Sequence, residues 1–176
     1  DHSISKEEFS VSQCSSCGFV FTNPRPDESN IGKYYQSDEY ISHTNKSSSL
    51  ISILYKIVRK YTLTQKLKLI NSVSEKGKIL DFGCGTGYFI KTCLKNGWET
   101  FGIEPDNGAR QMASNRVQKT IYKNIDDLPK HGFEVITLWH VLEHIHNLHH
   151  TFSTLVNLLK ENGNIIIAVP NHRSYD

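Results

Sequence analysis

The stretch Asp81-Phe82-Gly83-Cys84-Gly85-Thr86-Gly87 constrains this chain more than any other. Glycines alternate through it. The short apolar run Ile79-Leu80 precedes it and reads as a buried strand. Tyr88–Asn96 follows as a helix that Gly97 stops. A glycine turn between a buried strand and a helix is the place where an open parallel sheet binds ligands. Glycine suits that place because it accepts positive φ and lets backbone approach a ligand closely.

The rest of the chain repeats the strand–helix rhythm. Thr100–Glu104 reads as a second strand and Asn107–Arg116 as its helix. Thr120–Tyr122 is a brief third strand. Phe133–Leu138 is a fourth, followed by a helix over His149–Lys160 that Asn162-Gly163 ends, and Ile165–Val169 is a fifth. Near-continuous apolar strands alternating with helices predict an α/β fold: a mostly parallel sheet with helices on both faces. Ahead of it, Leu50, Ile53, Leu54, Ile57, Val58 and Tyr61 recur at helical spacing, and a second helical stretch spans Thr64–Val73. The expected organisation is an irregular segment over 1–30, a helical region over 31–75 and the sheet domain over 76–176.

Length and charge narrow the function. The 176 residues hold one domain and a small appendage. Lys plus Arg number 20 against 18 Asp plus Glu, too small a bias to imply nucleic acid or an anionic membrane. No run approaches the roughly 18 apolar residues of a spanning helix. No charged-then-apolar leader is visible, and four cysteines make no disulfide framework, so a reducing cytoplasm is expected. The chain opens on Asp1 and stops soon after an apolar run, which suggests a piece of a longer protein.

The details of the glycine turn select the ligand. A dinucleotide fingerprint needs glycine or alanine at position 88, which is Tyr88. A phosphate-binding P-loop needs lysine directly after the last glycine, and the next lysine is Lys91. Asp81 repels phosphate and attracts an ammonium group. Glu104 closes the second strand about 20 residues on, the place of a carboxylate that grips a ribose diol. The ligand expected is a ribose compound with a cationic end and no phosphate.

These residues resemble the class I S-adenosylmethionine-dependent methyltransferases, a Rossmann-like family, over roughly residues 76–171. The resemblance implies that Asp81, Gly83, Cys84, Gly85 and Gly87 lie under the methionine part of S-adenosylmethionine and that Glu104 holds the ribose hydroxyls. Asn124-Ile125-Asp126 resembles the family's adenine-contacting turn, and Trp139-His140 the wall beside the methionine moiety. The segment His140-Val141-Leu142-Glu143-His144 and the later Ala168-Val169-Pro170-Asn171 also have the look of this family. Its members usually continue through two more strands, so the last strands of the fold are expected to be missing here.

Other motifs carry competing readings. Cys14-x-x-Cys17-Gly18 has the spacing of one zinc knuckle. With Phe19–Phe21 and Asn23-Pro24-Arg25-Pro26 it resembles the second half of a zinc-ribbon found ahead of some sugar methyltransferases. A structural site needs four ligands, so the resemblance implies zinc only for a longer chain. His140-x-x-Glu143-His144 also spells a zinc-peptidase pattern, but that pattern belongs inside a long helix. Histidine titrates close to neutrality and suits proton removal, so His140 and His144 are the candidate catalytic bases, with packing or capping as the plain alternative. Lys56, Arg59, Lys60, Lys66 and Lys68 form a basic run, either a solvated face or a contact for an anionic acceptor. Tyr34, Tyr35 and Tyr40 are candidates for a lid over the cofactor. Three functions follow: a methyltransferase acting on a small or sugar-like acceptor, an RNA methyltransferase that uses the basic run, and a non-catalytic module that only holds the cofactor. Oligomeric state is left open.

Overall fold

The computed structural model describes residues 7–27, 30, 50–129 and 132–171. The chain divides into two compact units between Ser47 and Ser48. In the first, β1 (Val11–Gln13) and β2 (Val20–Thr22) pair antiparallel, with Ser12 opposite Phe21. The turn between them closes when Cys14 N–H donates to the Phe19 carbonyl at 2.8 Å and Gly18 N–H to the Cys14 carbonyl at 2.9 Å. Tyr34, Tyr35 and Tyr40 lie outside the described residues.

The second unit begins with α1 (Leu50–Val73). There follow β3 (Lys78–Phe82), α2 (Tyr88–Lys95), β4 (Glu99–Ile103), α3 (Asn107–Val117), β5 (Phe133–Trp139), α4 (Leu148–Leu158) and β6 (Leu159–Ala168). The four strands form one parallel sheet in the order β4-β3-β5-β6. This is the α/β architecture expected from the alternation of apolar runs with helices.

Alternate side chains of the central strands serve two cores. Ile79 and Val135 pack with Ile70 of α1 and with Phe89 and Cys93 of α2. Leu80, Ile136 and Leu138 point the other way and pack with Leu155 of α4. Burial on both faces is why these strands read as continuous apolar runs. A third cluster, Cys84, Ile90, Ala113, Val117 and Ile121, binds α2 to α3.

Three local expectations are corrected. The two helical stretches before the sheet are one helix of 24 residues. No proline or glycine interrupts Tyr61–Thr64, and the Thr64 hydroxyl donates back to the Lys60 carbonyl at 2.8 Å. The apolar stripe of its first half, Ile53, Leu54, Ile57, Val58 and Tyr61, is exposed; the second half packs on the sheet through Leu63, Leu67 and Ile70. Thr120–Tyr122 contributes only a parallel bridge between Tyr122 and Ile103. Asn162-Gly163 does not end the helix, which stops at Leu158. Those residues form a bulge in β6, where pairing jumps from Phe133–Leu159 to Val135–Asn164. Asn162 turns left-handed there at φ 63°, and a Cβ on Gly163 would lie 2.7 Å from the Phe133 carbonyl oxygen.

Candidate functional site

The loop after β3 is built around glycine conformations. Gly83, Gly85 and Gly87 have φ of 75°, 53° and 79°, values that side chains rarely adopt. The Gly83 and Cys84 N–H groups both donate to the Ile103 carbonyl at 2.9 Å, which folds the loop over the end of β4. A Cβ on Gly83 would strike the Val141 side chain. A Cβ on Gly85 would meet nothing within 4 Å, so the loop is the floor of an open space. Cys84 turns inward, and burial pushes its thiol far above the usual range, the state of a small filler and not of a nucleophile.

Glu104 stands directly beyond β4 and is only 6% exposed. Gly85 N–H donates to its Oε2 at 2.8 Å and Asp106 N–H to its Oε1 at 3.0 Å. Each carboxylate oxygen therefore has a fixed direction and a lone pair to spare. Burial raises its pKa, opposed by those same N–H groups. Arg110 braces the turn that follows, with Nη1 donating at 2.8 Å to the carbonyls of both Glu104 and Pro105. The spacing of Glu104 from the loop was legible in the sequence; its anchoring by Gly85 was not.

Asp81 lies within β3, not at its end, in register with Gly102 on one side and Thr137 on the other. It is 3% exposed, and the Thr137 hydroxyl donates to its Oδ1 at 2.7 Å. Burial pushes its carboxyl up to about 7, opposed by the Thr137 hydrogen bond and the Lys66 ammonium. Asp81 is thus a deep acid under the loop. Thr137, its partner, sits in the middle of an apolar strand and carries no sequence signal of its own.

The chain after the Tyr122 bridge returns to Glu104, whose N–H donates to the Tyr122 carbonyl at 2.9 Å. That contact brings Asn124, Ile125 and Asp126 to the Glu104 side of the site. Asn124 caps a short 3-10 turn, Ile125–Asp127, in which Asn124 N–H donates to Asp127 Oδ2 at 3.3 Å. Asn124 and Asp126 are exposed, while Ile125 packs into the core below.

On the β5 side, Trp139 ends the strand, its ring edge-on to Phe89 at 5.6 Å and its buried Nε1 without a hydrogen-bond partner. His140 follows in a left-handed conformation, φ 58°, held by its N–H to the Ala168 carbonyl at 2.9 Å. Its imidazole Nδ1 is 3.8 Å from Glu143 Oε1, and His144 Nε2 is 4.0 Å from the same oxygen. His140 and His144 are 62% and 50% exposed. Leu142–His144 is a single 3-10 turn, not part of a long helix. The peptidase pattern needs a long helix, which this single turn does not provide; among the described residues no group of three or more His, Cys, Asp or Glu side chains is placed to hold a metal ion.

Cys14 and Cys17 share one turn of the first unit, and the N–H groups of Cys17 and then Ser16, with the Cys17 thiol, lower the Cys14 pKa. Two thiols do not complete a tetrahedral zinc site, and among the described residues nothing adds to them. No helix of the described residues is long and apolar enough to cross a membrane.

The residues present fit the cofactor inferred from sequence. The open space over Gly85, the doubly anchored Glu104 carboxylate, the buried acid Asp81 and the orphaned Trp139 Nε1 suit a ribose, a cationic end and an aromatic wall. A family model described as a methyltransferase domain matches residues 55–176. Among curated relatives, the ubiquinone biosynthesis O-methyltransferase of Glaesserella parasuis serovar 5 (strain SH0165) is 34% identical over 107 residues, 53% of this chain and 45% of the relative. That of Rickettsia typhi is 29% identical over 144 residues, covering 76% and 58%. The chain spans about half the length of these curated relatives. Among solved structures, the magnesium protoporphyrin IX methyltransferase of Synechocystis PCC 6803 with bound S-adenosylmethionine matches with a TM-score of 0.63 at 15% identity, over 87% of this chain and 81% of that one. A methyltransferase dependent on the same cofactor, from Corynebacterium glutamicum, gives 0.52 at 20% identity over 64% and 70%. Both are likenesses of fold.

Proposed function

Because the chain belongs to the methyltransferase-domain family, we propose that it binds S-adenosylmethionine over the β3–α2 loop and transfers the methyl group to a small-molecule acceptor. One observation carries this reading: the Glu104 carboxylate, fixed by Gly85 and Asp106 N–H groups beside an open glycine floor. That carboxylate accepts from the two ribose hydroxyls. Asn124, Ile125 and Asp126 border the adenine, and Trp139 walls the methionine part. When bound, the cofactor supplies an activated methyl on a sulfonium sulfur. The protein then mainly orients two reactants, an effect worth roughly 7–11 kcal/mol.

An oxygen or nitrogen acceptor must also lose a proton. His140 and His144 are assigned as the candidate bases, since both stand exposed just past β5, where an acceptor reaches the methionine wall. The relatives named as O-methyltransferases of ubiquinone biosynthesis favour a small acceptor with a hydroxyl. A sugar-like acceptor is the narrower form of the proposal, supported by the resemblance of the Cys14–Cys17 hairpin to a zinc-ribbon half. The RNA reading loses ground, because Arg59 stacks between Tyr55 and Tyr88 and Lys66 lies on Trp139. The four free cysteines suit the cytoplasmic placement proposed from sequence.

Calorimetric titration with S-adenosylhomocysteine, with NAD as control, tests the reading. Binding of the first alone is expected. Hydrogen bonds to a charged group contribute about 1.5–3 kcal/mol, so Glu104→Ala is expected to weaken that binding roughly ten- to a hundred-fold. An unchanged dissociation constant in the variant removes the ribose assignment.

A further inference from the structure

Helix α1 carries apolar residues on two different faces. In its second half Leu63, Leu67 and Ile70 pack against the sheet. In its first half Ile53, Leu54, Ile57, Val58 and Tyr61 recur three and four residues apart and are each more than half exposed. With 3.6 residues per turn, that stripe lies on roughly the opposite side of the helix from Leu63, Leu67 and Ile70. Five large apolar side chains in one exposed row mark a surface that binds something.

The charge of the same helix narrows what that is. Over its 24 residues α1 holds Lys56, Arg59, Lys60, Lys66 and Lys68 and no acid. The near-neutral total of the whole chain hides this, because the remainder is acidic on balance. Arg59 is occupied by Tyr55 and Tyr88, and Lys66 by Trp139. Lys56, Lys60 and Lys68 are exposed, and among the described residues no carboxylate pairs with them. Lys56 and Lys60 follow one border of the stripe, and Lys68 continues its line past Tyr61.

An apolar row edged by cations, with no acid among them, is complementary to an anionic lipid surface. Acyl chains take the apolar side chains, and the lysine stems lift their ammonium groups to the head groups. We propose that the outer face of α1 over residues 53–61 docks on an anionic bilayer, with Lys56, Lys60 and Lys68 against its head groups. A second copy of the chain fits worse, because each stripe would bring the same unanswered cations to the other. A convex helix face also needs a matching groove in a protein partner, whereas a bilayer gives way to it. Arg59 links this face to the glycine loop, since Tyr88, on which it stacks, directly follows Gly87. Docking therefore holds the loop close to the lipid, while the face itself takes no part in moving the methyl group.

Flotation of the full chain with vesicles tests this. Vesicles of phosphatidylcholine alone are compared with vesicles in which a third of the lipid is phosphatidylglycerol. The chain is expected to bind the anionic vesicles more tightly by on the order of a hundred-fold, a margin that high salt narrows. Lys56→Gln combined with Lys60→Gln is expected to weaken the anionic binding roughly thirty-fold. Ile57→Asp, which puts an acid in the middle of the stripe, is expected to abolish it. Both variants are expected to keep the far-ultraviolet dichroism of wild type and its binding of S-adenosylhomocysteine, so that a loss on vesicles is not a loss of fold. Equal binding to the two vesicle types, or binding that survives both variants, overturns the proposal. Binding to neither vesicle also overturns it, and a dimer in sedimentation that Ile57→Asp dissolves then gives the face to a second copy.

Discussion

Glu104 and His140 hold equivalent places, each the first residue beyond a sheet strand, and they are held very differently. Glu104 is buried, with a backbone N–H on each carboxylate oxygen and an arginine bracing the carbonyl behind it. His140 is mostly exposed, strained to positive φ, and its nearest carboxylate is at 3.8 Å, beyond a hydrogen bond. The difference separates two tasks. A ligand of fixed shape is gripped best by groups that cannot move, because orientation is then set in advance. On the proposed reading of His140 as a base, a side chain that must follow a proton gains from room to turn. The β4 side is organised by the fold, and the β5 side is left for the reactant to organise.

The harshest way to break the contrast is to disturb the rigid side. Gly83→Val puts a β-branched side chain at φ 75° and drives it into Val141. Backbone strain of about 1–3 kcal/mol and overpacking of a similar size are expected together. Binding of S-adenosylhomocysteine should vanish from calorimetry while the far-ultraviolet dichroism of the sheet domain persists. Wild-type affinity in this variant would mean that the loop is not the floor of the site.

Asp81 sharpens the comparison, because its rigidity shows as a pH dependence. Its carboxyl sits at about 7 in the fold against an ordinary value of 3.8. The folded chain keeps a proton that the unfolded chain releases between those values. Stability from this group is therefore full below about pH 4, declines as pH rises, and is lost above about pH 7. Asp81→Asn removes the decline. Its unfolding free energy from urea titration is expected to exceed that of wild type at pH 8 by up to about 4 kcal/mol, with most of the gain gone at pH 4. A gain that does not depend on pH would contradict the assignment.

The loose side gives the smallest effect on binding. His140→Ala combined with His144→Ala should leave the dissociation constant of S-adenosylhomocysteine within about twofold and lower kcat by about a hundred-fold. The rate is read as S-adenosylhomocysteine formed with whichever acceptor the wild-type protein methylates. Full turnover in the double variant assigns the proton to another group.

The residues legible in the sequence are those whose role is local. Gly83, Gly85 and Gly87 announce a turn because glycine alone suits their backbone, and Glu104 is placed by its distance along a single strand–helix–strand unit. Thr137 was not legible. It reaches Asp81 only through the register of two parallel strands 56 residues apart, which no local pattern encodes. Lys66 was hidden for a different reason. In a run with Lys56, Arg59, Lys60 and Lys68 it looks like one more solvated cation, and only the break between the two faces of α1 turns it inward. The same break explains why the stripe ending at Tyr61 predicts a helix correctly although its apolar residues stay exposed. Asn162-Gly163 has the composition of a stop and serves as a bulge, since a left-handed asparagine followed by glycine suits both.

The two N–H groups on Glu104 come from the polypeptide itself, so the carboxylate loses its rotational freedom when the protein folds and not when a ligand arrives. Ordering a long polar side chain costs up to about 2 kcal/mol of entropy, and that loss is already behind the protein at the moment of encounter. Association should then proceed without a slow rearrangement around the ribose. Stopped-flow traces at the β4 side would show a single phase whose rate rises linearly with ligand concentration.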